Sequence, residues 1–216
     1  MKKKIGIITA LMMFTVSIAA CSSSAQTKES VPAAESSIHT PSAEGSQMAD
    51  DSEMTLLNAE EPIALTASGQ SADFDMMKVI LDQVNLSYSA DSLMEPEGLN
   101  DCKTLIVVIG GSSKGLGAAG IDAETELKRV EKLLSKAKEQ GINVLSVHIG
   151  GEGRRGALGD RFIEPSVAES DGVIVVAAGN KDGLFTELGT KYGIPVTEVN
   201  AMVDTTEVMK SIFGQE

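Results

Sequence analysis

The sequence predicts a single three-layer α/β domain over residues 62–216, built on a parallel sheet of five to six strands. Three observations carry this. Several short runs are apolar without interruption, among them LIVVI at 105–109 and VIVVAA at 173–178, as suits strands covered on both faces. Amphipathic stretches separate these runs, so strand and helix alternate and the connections are right-handed crossovers. Glycines follow the strands: five lie in 110–120, five in 150–159, and Gly179 and Gly183 come after the fifth run. In a parallel sheet all strand C-termini share one edge, so 12 of the 21 glycines gather where doubly wound folds bind ligands.

Taken in order, a first strand is expected at 63–67 and a helix over 71–83, then a second strand at 85–89 and a third at 104–109. Residues 110–120 are expected as a glycine loop. The clearest helix spans 122–140, where Leu127, Val130, Leu133, Leu134 and Ala137 form an apolar stripe, Asp122 caps the start and Gly141 stops the end. Strands at 143–149, 172–177 and 195–200 follow, with helices over 157–169, 182–192 and 204–213. No repeat of solenoid length is present, and the length suits one domain.

Upstream of the domain, residues 1–20 hold three lysines and then an uncharged apolar run too short for a comfortable membrane span, which predicts a secretion signal. The run ends in Ile18-Ala19-Ala20-Cys21, which resembles the lipobox of bacterial lipoproteins. That resemblance implies cleavage before Cys21 and acylation of its thiol by chains such as palmitate, and two chains anchor stably where one is marginal. The expected location is the extracytoplasmic face of the cell membrane. From Cys21 to residue 61 the composition is Ser, Ala, Glu and Gln with eight acids and one lysine, an acidic tether that cannot bury a core. His39 lies there with no expected role.

Loss of the three signal lysines takes the net charge from −13 to −16. Such acidity excludes a nucleic-acid surface, which needs clustered Lys and Arg to displace counterions. With Cys21 lipidated, Cys102 is the remaining thiol, so the domain has no internal disulfide.

The first strand-end loop, Thr66-Ala67-Ser68-Gly69-Gln70-Ser71, follows the pattern [ST]-x-[ST]-G-x-[ST] and resembles the phosphate loop of flavodoxins. The resemblance implies a flavodoxin-like or Rossmann-like sheet in which Ser68, Gly69, Gln70 and Ser71 surround a phosphate or carboxylate. A Ser/Thr-rich turn with a helix cap accounts for the same residues. No cofactor is expected: the later loops carry no Trp or Tyr to sandwich a flavin, and no Walker motif occurs. The two G-x-G-x-x-G matches at 115–120 and 151–156 lack the acidic residue that holds a ribose. GGSSKGLG is similar to the loop of short-chain dehydrogenases, but Tyr-x-x-x-Lys is missing.

Gly110, Gly111, Ser112, Ser113 and Lys114 are candidates for a second wall, and Gly150, Gly151, Arg154, Arg155, Asn180 and Lys181 for the rest of the site. Asp122, Glu152, Asp160 and Asp182 balance the four cations, so orientation decides. Asp122 and Asp182 are placed to cap helices, whereas the Arg154-Arg155 pair has no neighbour in sequence to bind it. Inter-loop salt bridges are the alternative. His148, near the end of a central strand, is either a buried, satisfied imidazole or a ligand contact and general base. Metal ligation is unsupported.

Residues 62–213 resemble a family of uncharacterised bacterial exported proteins through TASGQSAD, GGSSKGLGAAGID, HIGGEGRRGALGD and GNKDGLF. The first string departs from the family's order, with Ala67 before Ser68 in place of serine-alanine. The expected function is a lipid-anchored protein binding a small anionic molecule, carboxylate or phosphorylated, at the C-terminal edge of the sheet, between the first and third strands. The rivals are an extracytoplasmic hydrolase or transferase using His148, and an accessory or scaffold protein of a membrane transporter or envelope complex.

Overall fold

The structure is a computed structural model that describes residues 58–215; the signal segment, Cys21 and the tether as far as residue 57 lie outside the described residues. The sheet has six strands, all parallel: β1 (Ile63–Ser68), β2 (Tyr88–Ala90), β3 (Thr104–Ile109), β4 (Asn143–His148), β5 (Gly172–Val176) and β6 (Val196–Val199). Their spatial order is β2-β1-β3-β4-β5-β6. The chain therefore leaves β1 toward one edge and β3 toward the other. β1 and β3 pair over their whole length, from Ile63 opposite Thr104 to Ser68 opposite Ile109, so their C-termini end level and the crevice above them is the topological switch point.

Side chains alternate between two faces. Ile63, Leu65, Ile106, Val108, Leu145 and Val147 meet α1 (Asp73–Gln83) and α6 (Thr205–Ile212) through Met77, Leu81, Met209 and Ile212. The opposite face, with Leu105, Val107, Val144, Val173 and Val175, is covered by α3 (Ala123–Glu139), α4 (Ile163–Val167) and α5 (Leu184–Tyr192). The result is the three-layer, flavodoxin/Rossmann-like α/β arrangement that alternation of strand and helix demands.

Three local expectations are corrected. The second strand is only three residues and starts late, because Asn85 adopts φ 52° and turns the chain where 85–89 was expected to extend. The expected glycine loop at 110–120 contains a helix, α2 (Ser113–Ala119), whose first turn is capped by Ser112 Oγ accepting from Gly115 N–H at 3.0 Å. Gly115 is required there for space, since a Cβ would run into the Gln70 carbonyl. The helix expected over 157–169 is a 3-10 turn at Asp160–Phe162 leading into the short α4. Pro165 is tolerated only in the first turn of a helix, which fixes where α4 starts.

Residues 58–60, ahead of β1, also pack on the domain. Ala59 N–H donates to Ile212 O at 3.1 Å, and Thr104 bridges Glu60, its Oγ1 accepting from the amide and donating to the carbonyl at 3.1 and 2.8 Å. Asn143 adds a bond to Asn58 O. A chain starting at Pro62 is expected to be less stable than one starting at Asn58 by about 2–6 kcal/mol, the worth of these four bonds. Urea unfolding of the two measures it, and equal midpoints contradict it.

Candidate functional site

The first strand-end loop is built around a buried ion pair. On α3, a helical period puts Glu126 one turn before Val130 and two before Leu133, inside the apolar stripe, so its carboxylate is carried under β1 and is fully buried. Its Oε1 accepts from the Gly69 amide at 3.0 Å and from Gln70 Nε2 at 2.9 Å. Arg129, one turn on and 6% exposed, donates Nε–H to Glu126 Oε2 and an Nη2–H to Oε1, both at 2.8 Å. Its other hydrogens go to Ala67 O at 2.5 Å, Met94 O at 2.8 Å and Thr66 Oγ1 at 3.5 Å. All five guanidinium N–H groups are thereby used. Burial pushes the Glu126 carboxyl up, but the bonds and charge of Arg129, with Gln70 and Gly69, outweigh it and hold it below its ordinary 4.5.

The consequence for the phosphate-loop resemblance is direct. The Gly69 amide, which such a loop would offer to an anion, is occupied by the protein's own carboxylate. Gln70 is turned inward, with Nε2 also donating to Ser92 O at 2.7 Å. Ser68 is buried and shares a hydrogen bond with Ser166 at 3.0 Å. Of the four residues in that wall, Ser71 keeps a hydroxyl proton with no acceptor among the described residues while accepting from Asp73 N–H.

The two arginines have partners from distant loops. Arg154 Nε donates to Asp73 Oδ2 at 2.9 Å, and that nearly buried carboxylate lies over Gly110 and Gly150, where a side chain at either glycine would collide with it or with Ser71. Arg155 forks onto both oxygens of Asp182 at 2.9 and 2.8 Å, and also binds Asp160 Oδ1 at 2.8 Å and the Gly179 carbonyl. Its bond to Asp182 chiefly, against some desolvation, raises the guanidinium pKa further, and the same bond holds Asp182 down to about 2. Asp182 thus faces Arg155 more than the helix it was expected to cap, and orientation resolves toward inter-loop salt bridges. Lys181 pairs with Glu152 at 2.6 Å, and Asn180 is spent on Thr186, Glu198 and the Phe185 amide.

His148 is fully buried, with Nδ1 3.1 Å from Ile109 O, Nε2 3.2 Å from Gly151 O and its ring 5.0 Å from that of Phe185. Its side chain does not reach solvent. Gly151 supplies a carbonyl to it, and Gly179 leaves room for its ring. Gly111 bridges to Gln70 and packs on Gly159, and Ser113 is exposed on α2. Among the described residues, no group of three or more His, Cys, Asp or Glu is placed to hold a metal.

A cleft of about 350 Å³ opens at the β1/β3 switch point. One side is the start of α1, with Ser71, Ala72, Phe74 and Asp75; Ser92 closes one end, and Ser112, Lys114, Gly115 and Ala118 of the α2 segment form the other side. Lys114 is exposed and has no ion-pair partner among the described residues, unlike Arg154, Arg155 and Lys181. Sequence reasoning named Ser71, Ser112 and Lys114 and missed Glu126, Arg129, Asp73 and Asp75. The signal for Glu126 was available: a carboxylate at helical spacing among Val130, Leu133 and Ala137.

Burial, opposed by the two carbonyl contacts, holds His148 below its ordinary 6.5. The folded protein keeps the ring neutral while the unfolded chain takes up a proton, so this contribution to stability is complete above pH 6.5 and declines as pH falls below it. Unfolding free energies between pH 7.5 and 5 are expected to decline in the native protein and to lose that part of the slope in His148→Gln. An unchanged slope contradicts the assignment.

In comparison with known proteins, residues 60–213 match the family model described as Domain of unknown function (DUF6305). No curated protein matches the sequence.

Proposed function

The chain belongs to the DUF6305 family, and from that premise we propose that it is a lipid-anchored extracytoplasmic protein which binds a small ligand through a carboxylate or phosphate group in the β1/β3 cleft. The observation that carries this is Lys114, a cation without a carboxylate partner among the described residues, beside the hydroxyls of Ser71 and Ser112 at a switch point. The ligand set is narrower than the sequence suggested, because Arg154, Arg155 and Lys181 already hold the protein's own acids. A cleft of this volume is at the small end of ligand sites, which typically run from about 300 to 1,000 Å³. The signal segment and Cys21 supply the location, with the acidic tether as spacer.

Titration calorimetry with carboxylates and phosphorylated compounds is expected to find a ligand whose affinity falls about 10–100-fold in Lys114→Gln, the loss of one charge-assisted hydrogen bond. Arg154→Ala is expected to lower stability with little effect on affinity, since its partner is Asp73; the reverse pattern contradicts the reading. For the anchor, Cys21→Ala is expected to move the protein out of the membrane fraction or leave it unprocessed. Retention in membranes at the processed size rules the anchor out.

A further inference from the structure

The cleft that receives the ligand carries two opposite charges, Lys114 from α2 and Asp75 from α1. Asp75 Oδ1 is 3.1 Å from Lys78 Nζ on the next turn, an exposed pair of the kind that contributes little, and Oδ2 has no partner among the described residues. Phe74, half-buried against the core, and the methyl groups of Ala72 and Ala118 supply apolar surface between the charges. A ligand bearing only negative charge gains Lys114 and meets Asp75. A phosphate dianion meets Asp75 with two charges in place of one. Charges beyond a Debye length of about 8 Å are screened, so the local groups set the selectivity: Lys114, Asp75, and Lys78, which stands beside Asp75 and over the Phe74 ring.

Resting on the reading of this cleft as the ligand site, we propose that the ligand is a small zwitterion, its carboxylate held by Lys114 with the Ser112 and Ser71 hydroxyls and its ammonium held by Asp75. Phe74 and the two alanines take its aliphatic part. Amino acids, ω-amino acids and short peptides have this chemistry.

The test is calorimetry on the full chain in a mild detergent, with alanine, 4-aminobutyrate and alanyl-alanine set against propionate, butyrate and N-acetyl-alanyl-alanine, and with inorganic phosphate. At least one zwitterion is expected to bind tenfold or more tightly than its partner without the ammonium. Asp75→Asn is expected to erase that preference while carboxylate binding survives, and Lys114→Gln to weaken both. Lys114 and Asp75 are exposed, so unchanged thermal midpoints separate loss of binding from loss of fold. If carboxylates or phosphate bind as tightly as the zwitterions and still depend on Lys114, the zwitterion inference fails and the cleft reading stands. If none of these probes binds, or binding ignores Lys114→Gln, both fail.

Discussion

The Glu126–Arg129 pair is the constraint on which the ligand edge depends. It joins α3 to the end of β1 through Gly69, Gln70, Ala67 and Thr66, and to the segment after β2 through Met94. A buried ion pair is costly to desolvate, and it survives here because every guanidinium hydrogen and both carboxylate oxygens are satisfied. Removing one partner of such a pair costs about 3–5 kcal/mol, a large share of a typical stability of about 5–15 kcal/mol. The loop above it is therefore rigid, and α2 can lie against Gln70 with only a glycine between them.

The same logic repeats along the edge. Asp73 fills the space over Gly110 and Gly150 with Arg154 beside it, and Asp160 accepts from the Gly156 amide and from Arg155. Three glycine loops that a sequence presents as anion cradles are thus filled by the chain's own carboxylates. Gly69, Gly110, Gly111, Gly150 and Gly159 serve close packing between loops. Between α1 and α2 a cleft is left in which Lys114 has no ion-pair partner among the described residues and Asp75 stands on the α1 side.

Much of the fold was legible because burial on both faces leaves continuous apolar runs, and β3 matches its expected limits at Thr104–Ile109. The edge strand β2 was misplaced because three residues give no period and a left-handed Asn85 breaks the run. α2 was missed because its glycines, of which Gly115 makes the close contact with Gln70, mask a helix under loop composition. For the site, residue types were legible and pairings were not. Arg154 and Asp73 lie 81 positions apart, and Arg155 and Asp182 27 apart, so only the folded sheet edge brings them together. Glu126 was the exception, visible as a charge inside an apolar stripe.

The Gly69 amide is held by Glu126 as part of the folded core, and is neither free for an external anion nor exposed to solvent. Native-state hydrogen exchange at that single amide is the direct test. Gly69 is expected to exchange only with global unfolding, at the same free energy as the central strand amides of β3. Exchange through a local opening, well below that free energy and slowed by added phosphate, would contradict it.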